Sequence, residues 1–371
     1  MTTISALVSR SKETPFTLET LELADPGPDE VQVRITAAGL CHTDLAVLGS
    51  PMMMWPGVLG HEAAGVIERV GTNVTEVRPG DHVATTVAWC GRCEACLQGR
   101  PTKCHHMMPL NFTGTREDGS TILTASDGSP VGGRFMGQSC FATHALLSST
   151  SVIPVPDDID PRVVAALGCG LQTGSGAVLN TLRVAPGDSI VISGTGPVGL
   201  GAVMAAAASG ATRIVAVDVL KPRLDLALQL GATHAIDGRS DDVLAKIQEA
   251  VGQPADLAFD TTGVPEVVLT DLATLKLDGR FAAGASGLEA ASQSPVMMGK
   301  TIHNIIAGDS VPLLFLPRLI DLHRNGKFPV ERLISTYPME DIDEAIEDTR
   351  AGKATKAILM PPGTAAEALP G

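Results

Sequence analysis

Two textures of apolar and polar positions divide the chain. In the first third the runs are short and alternating, as in Val31, Val33 and Ile35 within Val31–Ala37, then Gly65–Val70 and His82–Val87. A period of two buries one face of a strand, so this region is predicted to be β-rich. Pro-Gly pairs at Pro26-Gly27, Pro56-Gly57 and Pro79-Gly80 punctuate it. Residues 105–140 are polar and glycine-rich and predict a long loop with one hairpin. From about Leu171 the runs become continuously apolar (Ser189–Ser193, Arg213–Val217, Leu257–Phe259, Gly279–Ala283) and alternate with helical stretches. That alternation is the signature of a parallel sheet built from βαβ units, making the chain α/β. After Gly308 the pattern predicts helix, short strand and helix (Leu313–His323, Leu333–Thr336, Met339–Arg350), then an apolar Ala357–Met360 and a loose tail, Pro361–Gly371.

A length of 371 residues suggests two domains or three. With 44% hydrophobic and 18% charged residues the chain is not disordered, and aromatics at 3% leave the core to aliphatic side chains. A net charge of −14 argues against a broad electrostatic footprint on nucleic acid. Met1–Phe16 carries charges and a proline with no apolar stretch, so no signal peptide is expected and the cytoplasm is the expected compartment. The uncharged run Ser189–Ala211 is long enough to suggest a membrane span. It contains Gly194, Gly196, Pro197, Gly199 and Gly201, and reads better as a buried strand followed by a helix.

Four of the seven cysteines, Cys90, Cys93, Cys96 and Cys104, fall within fifteen positions. Two overlapping C-x-x-C steps and a fourth thiol suit one tetrahedral structural zinc, with Gly91 and Gly99 supplying the turns. A redox dithiol would instead open a helix after a βαβ strand, which is not the context here. The other thiols are Cys41, Cys140 and Cys169. Cys41 lies in Gly39-Leu-Cys-His-Thr-Asp44, and His61 and Glu62 follow about twenty residues on. Taken singly, a buried cysteine is a small hydrophobe and a lone histidine a satisfied core residue. Together with Cys169 they supply the two thiolates and one imidazole of an open catalytic zinc site. Spacing alone leaves open whether Cys169 joins them.

Gly194-Thr-Gly-Pro-Val-Gly199 follows an apolar strand and opens an alanine-rich helix. This is the order in which a G-x-G-x-x-G loop offers backbone N–H groups to a pyrophosphate, so Gly194, Gly196, Pro197, Val198 and Gly199 are candidate cofactor residues. Asp218 ends the next strand, where a carboxylate binds the adenosine ribose and repels a 2′-phosphate. NAD is therefore favoured over NADP. Lys221 and Arg223 close by keep NADP open, and Arg223 joins the candidate cofactor residues.

On these residues the chain resembles the zinc-dependent medium-chain alcohol dehydrogenases over nearly its whole length. Cys41-His-Thr-Asp44, Gly60-His-Glu-Ala-Ala-Gly65, the four-cysteine lobe and Gly168-Cys-Gly170 all occur in that family's order. The resemblance implies a GroES-like β-rich catalytic domain over 1–170 with its zinc lobe at about 90–104. A doubly wound Rossmann-type NAD domain would cover 171–306, and 307–371 would return to the catalytic domain. It implies two zinc ions per chain: a catalytic one on Cys41, His61 and Cys169, with Glu62 ligating it transiently, and a structural one on the lobe. Asp44 would accept the other ring N–H of His61, and His42 and Lys356 would face the pyrophosphate. Cys140 matches no ligand.

The implied reaction is reversible, NAD-dependent oxidation of a primary alcohol to the aldehyde, with zinc acting as a Lewis acid on the substrate oxygen. Thr43 would take the alcohol proton, and Ala46 stands where many relatives have a relay histidine. The stretches Gly168–Gly176 and Gly308–Pro312 look most like the branch acting on benzyl, aryl and allylic (geraniol-type) alcohols. Met52, Met53, Met54 and Trp55 lie where relatives line their pocket, though simple core packing reads equally well. The alternatives are a thiol-dependent formaldehyde dehydrogenase of the same superfamily, or a non-catalytic zinc-stabilised nucleotide-binding protein. The implied partners are a small alcohol or aldehyde and further copies of the chain, as a homodimer or homotetramer, with no nucleic acid and no membrane. Ile302–Ala307 is a candidate edge strand for that pairing, with His303 an ordinary surface or interface residue.

Overall fold

The computed structural model describes residues 1–11, 16–285, 287–291 and 294–364. Two compact units emerge: one of Met1–Cys169, Val311–Arg318 and Val330–Gly371, the other of Gly170–Ser310 and Leu319–Pro329. Of the expected tail, 365–371 lie outside the described residues.

The first unit is built around the strand Glu30–Gly39. Val31, Val33 and Ile35 are buried as the alternation predicts, and so is Gln32, because both faces of this strand are covered. It pairs antiparallel with Ala63–Val70, His144–Ser148 and the final strand Lys356–Met360. The registers Ala38↔Ala63 and Ile358↔Gly39 bring one end of all three strands together. Leu40–Cys41, His61–Glu62 and Lys356 therefore converge, although they are far apart in sequence. The helix Pro161–Ala166 packs on this sheet. Asp160 starts it by accepting the Arg162 N–H at 2.8 Å, with Pro161 at the first helical position, and Cys169 follows three residues after it ends.

A second sheet of this unit begins with an antiparallel pair, Thr2–Ser9 with Thr17–Leu23, that the sequence pattern did not predict. Only Leu21 and Leu23 of the latter strand are buried, so its alternation is diluted by exposed positions. Within 105–140 the expected hairpin is Leu123–Ala125 with Pro130–Val131, and a short helix, Met107–Asn111, was not anticipated.

The second unit holds a six-stranded sheet, all of whose pairings are parallel. Its order is His234–Asp237, Arg213–Asp218, Ser189–Ser193, Ala255–Asp260, Leu275–Ala283, Thr301–Asn304. Strand order reverses at Ser189–Ser193, the order of a doubly wound sheet. Ser189–Ser193 is buried along its whole length. The run Ser189–Ala211 resolves into this strand and the helix Pro197–Ala208, and among the described residues no helix is long and apolar enough to cross a membrane. Phe281 is fully buried among Val191, Val215, Val268 and Leu272 in the core of this sheet. Phe281→Ala should cost about 3–5 kcal/mol through lost transfer energy and a residual cavity. Urea unfolding should show a lower midpoint with an unchanged slope.

Candidate metal and cofactor sites

The four-cysteine lobe is a chain loop wound around its own sulfurs, with short helices at Glu94–Leu97 and Pro101–Lys103. The sulfurs of Cys90, Cys93, Cys96 and Cys104 all lie within 4.8 Å of one another. Cys93 and Cys96 are 3.5 Å apart, Cys93 and Cys104 3.9 Å, Cys90 and Cys96 4.0 Å. A tetrahedron with Zn–S bonds of about 2.3 Å has S···S edges of about 3.8 Å, so the lobe already has the dimensions of a zinc site. Backbone N–H groups of Cys90 and His106 donate to Cys104, and those of Cys93 and His105 to Cys90 and Cys93 respectively. The His105 N–H in particular brings the Cys93 thiol down to about 6, whereas burial and its thiol neighbours push Cys96 up to about 12.

The second metal cluster joins Cys41, His61, Glu62 and Cys169, whose ligand atoms also fall within 4.8 Å of one another. Cys41 precedes the short helix His42–Ala46, and its N–H donates to Asp44 Oδ2 at 3.0 Å. Asp44 Oδ1 accepts Gly60 N–H at 3.0 Å and His61 Nδ1 at 2.9 Å. Asp44 is completely buried. With Nδ1 committed to a carboxylate, Nε2 is the ring nitrogen left for a metal, and it is buried with no hydrogen-bond partner among the described residues. An orphaned imidazole nitrogen beside two sulfurs fits a metal ion. Burial lowers the His61 pKa, but Asp44 and Cys41 beside it outweigh that and hold it well above the usual imidazole value. A hydrogen bond from Cys169 holds Cys41 well below the usual thiol range against the effect of burial. The same contact, with burial, pushes Cys169 well above it. The two sulfurs thus share a proton that a bound dication would displace. Thr43 Oγ1 is 3.7 Å from Cys41 Sγ, half-buried at the rim of this cluster.

Lys356 departs from expectation. It is 1% exposed, and its ammonium donates to Glu62 Oε2 and, at 3.1 Å, to the Leu40 carbonyl. It is neither a solvated surface lysine nor available to a pyrophosphate, because the buried Glu62 carboxylate requires a partner charge in place. Burial raises the Glu62 pKa to about 7 in spite of this lysine. His42 is exposed and stands outside the metal cluster, and Cys140 is buried and outside it too.

In the second unit, Gly194 turns the chain at φ +83° between the strand Ser189–Ser193 and the helix that begins at Pro197. A Cβ on Gly199 would lie 1.8 Å from the Gly194 carbonyl oxygen, so only glycine lets the helix start this close to the strand. Asp218 reaches back to the loop: Oδ2 accepts the Thr195 N–H at 2.6 Å and hydroxyl at 2.9 Å, and Oδ1 accepts Leu220 N–H at 2.9 Å. Arg223 Nη1 lies 4.0 Å from where a Gly196 Cβ would be, and its buried Nε has no hydrogen-bond partner among the described residues. Lys221 is exposed and paired with Asp225 at 2.7 Å. At the base of the loop the wholly buried Asp271 accepts the Ser193 hydroxyl at 2.7 Å, and burial pushes its carboxyl well above the ordinary range.

Comparison with known proteins bears on both sites together. Residues 27–157 match the alcohol dehydrogenase GroES-like domain, and residues 197–311 match the zinc-binding dehydrogenase domain. The geraniol dehydrogenase of Castellaniella defragrans is 40% identical over 96% of this chain and 97% of its own. The chain belongs to the zinc-dependent medium-chain alcohol dehydrogenases. Among solved structures, this dehydrogenase is similar to the benzyl alcohol dehydrogenase of Acinetobacter calcoaceticus, with TM-score 0.92, 38% identity, and 97% and 100% of the two chains covered. An alcohol dehydrogenase zinc-binding domain protein of Burkholderia ambifaria gives TM-score 0.92 at 42% identity over 97% and 99% of the two chains.

Two partners in the dehydrogenase sites had no reading from sequence. Thr195 is the variable position of the glycine motif, and nothing marked its hydroxyl as the partner of Asp218. The Glu62–Lys356 pair spans 294 positions, beyond the reach of any local pattern. Because Asp44 ties both metal-binding segments, Asp44→Asn should replace one acceptor oxygen by a donor and repel a facing N–H. We expect zinc to bind about 10–100-fold more weakly, read as faster release to a chromogenic chelator. Equal release from variant and native protein would contradict this.

Proposed function

We propose that this alcohol dehydrogenase oxidises primary aromatic and allylic alcohols reversibly to aldehydes with NAD. The observation that carries the cofactor choice is Asp218, a buried carboxylate at the end of its strand that touches the glycine loop. Support for the substrate class comes from the geraniol and benzyl alcohol dehydrogenases, two similar proteins on opposite sides of the aromatic–allylic distinction. The surroundings of His61 agree. Its ring meets Phe135 edge-on at 5.5 Å, and Phe112 stacks edgewise on Phe135 at 6.4 Å. Met53 is buried nearby in sequence to the half-buried Met54 and Trp55, and Trp55 Nε1 donates to the Ser50 carbonyl at 2.9 Å, which fixes that ring. A planar apolar alcohol suits apolar surroundings of this kind better than a polar one does.

Cys41, His61 and Cys169 would hold a zinc ion, whose contribution would be Lewis acidity toward the alcohol oxygen, and the glycine loop with Asp218 would hold NAD, the hydride acceptor of such a reaction. The protein's own part is to hold these groups and remove a proton. Asp44 fixes the His61 tautomer, and Lys356 holds Glu62 in its present place beside the thiols. In this reading Thr43, whose hydroxyl lies 3.7 Å from the Cys41 sulfur, receives the alcohol proton, because an O–H both accepts and donates. Ala46, exposed three residues further on, passes nothing along.

The reading includes two zinc ions per chain, a cytoplasmic location, and a homodimer or homotetramer formed through the edge strand, which runs over Thr301–Asn304 and not over the expected Ile302–Ala307. Elemental analysis of fully active protein should give two zinc ions. Cys169→Ala should lose one of them together with activity, whereas Cys96→Ala should lose the other and lower the melting temperature. A panel of alcohols with NAD and NADP, with and without glutathione, tests the chemistry directly. Turnover of benzyl or allylic alcohols with NAD and no added thiol is expected. An absolute thiol requirement would favour the formaldehyde dehydrogenase alternative, and no turnover would favour the nucleotide-binding one. Asp218→Gly should raise the KM for NAD and relax discrimination against NADP.

The proton route gives a pH-dependent test. Thr43→Val should remove nearly all turnover between pH 6 and 9. Ala46→His adds an imidazole of ordinary pKa about 6.5, whose neutral form accepts a proton. It should raise kcat more at pH 6–7, where proton release is slow, than at pH 9, where hydroxide and water suffice. Near-normal turnover by Thr43→Val with metal and cofactor bound would show that water takes the proton directly.

A further inference from the structure

Three departures from regular backbone meet at one place in the second unit. After the strand Thr301–Asn304, the consecutive residues Ala307, Gly308 and Asp309 all have positive φ, at 47°, 67° and 45°. Two of them carry side chains, for which the left-handed region is unfavourable, so the surroundings must impose this turn. Second, the helix Gly170–Gly176 continues as a π-helix over Ala177–Thr181. Such segments are rare and concentrate at functional sites. Third, the glycines of that helix make room for close contacts on two sides. A Cβ on Gly174 would lie 1.8 Å from the Val198 carbonyl of the dinucleotide loop, and one on Gly176 would lie 2.3 Å from the Gly308 carbonyl.

The widened π turn carries the residues that hold the left-handed one. Thr181 Oγ1 donates to Asp309 Oδ2 at 3.0 Å, and Asn180 Nδ2 donates to the Gly308 carbonyl at 3.1 Å. Gln172 Nε2, one helical segment earlier, donates to the Ala307 carbonyl at 3.2 Å. Within the turn, Asp309 Oδ1 accepts the Ile306 N–H at 3.4 Å and the Ser310 hydroxyl donates to the Ala307 carbonyl at 2.9 Å. A segment held by so many side-chain bonds in a disfavoured conformation is shaped for something that binds it.

Its place in the sheet says what. The turn follows the carboxyl end of the edge strand, on the side of the sheet order reached through Ala255–Asp260 and Leu275–Ala283. Asp218 ends a strand on the other side of Ser189–Ser193. A dinucleotide lies across the carboxyl ends of a doubly wound sheet with one nucleotide over each half. If the adenosine ribose is at Asp218, the nicotinamide nucleotide falls on the half that ends in this turn. We propose that Thr181 and Asp309 are positioning residues for the nicotinamide half of the cofactor, keeping the Ala307–Asp309 turn in the shape that half binds. The proposal rests on the NAD reading above.

The test separates a positioning role from simple packing by using a ligand that lacks nicotinamide. Zinc-loaded wild type, Thr181→Val, Thr181→Ser and Asp309→Ala are titrated calorimetrically with NAD and with ADP-ribose, and each is melted without ligand. Thr181→Val and Asp309→Ala should bind NAD about ten-fold more weakly, the scale of one hydrogen bond to a charged group. Their affinity for ADP-ribose should stay within about two-fold of wild type, and Thr181→Ser, which keeps the hydroxyl, should bind NAD normally. Equal weakening toward both ligands would overturn the proposal and make the turn part of the scaffold, as would unchanged NAD binding by Thr181→Val. If Asp309→Ala does not fold, the comparison of valine with serine at Thr181 still decides. A wild type that binds ADP-ribose but neither NAD nor NADP would instead overturn the cofactor reading itself.

Discussion

A single buried carboxylate organises the metal-binding half of this enzyme. Asp44 has no contact with solvent, so its charge must be matched by donors inside the protein. It finds three: the N–H groups of Cys41 and Gly60 and the Nδ1 of His61. The first comes from the end of one strand and the others from the approach to another. Satisfying one side chain therefore fixes the distance between the Cys41 thiol and the His61 ring. It also decides the tautomer of the neutral imidazole, since a neutral ring that donates through Nδ1 presents its lone pair at Nε2. The open nitrogen of the metal cluster follows from a hydrogen bond on the opposite side of the ring.

The rest of that cluster is a problem in buried charge. A carboxylate and an ammonium sit out of water beside two half-buried thiols, where an uncompensated charge is costly. Lys356 answers Glu62, and the two sulfurs share a proton through their mutual hydrogen bond. A dication brings the cluster to both thiolates without leaving a charge unmatched, because Glu62 and Lys356 already balance each other. The final strand exists beside Glu30–Gly39 in part to deliver this lysine, and its antiparallel register with that strand puts Lys356 at the end where Leu40 and Cys41 emerge.

The second unit works by organisation ahead of binding. The Thr195 amide and hydroxyl are already bonded to Asp218, so the glycine loop is tied to the neighbouring strand before any nucleotide arrives. Rigidity of this kind reduces the ordering cost of binding. Alanines and glycines along Pro197–Ala208 let that helix lie close to its neighbours, and residues 199–206 of it are buried. A small-residue helix, rather than an amphipathic one, is what a sheet covered on both faces requires.

The sequence by itself determined whatever depends on local order. The G-x-G-x-x-G loop, the two C-x-x-C steps, the alternating strand at Val31–Ala37 and the apolar parallel strands are each written in a few consecutive residues, because turn geometry, chelate size and side-chain period are local properties. The N-terminal antiparallel pair is not legible in the sequence because its second strand buries only two residues, which leaves a weak alternation. Tertiary structure alone decided which distant groups meet. Spacing could not say that Cys169 joins Cys41 and His61, since the helix that precedes it reaches them only by packing on the sheet. Nor could any pattern show that Lys356 is buried against Glu62 instead of facing solvent or a phosphate. A lysine reads the same in sequence wherever it points, and its role was fixed by a buried carboxylate 294 residues away that could not remain without a counter-charge.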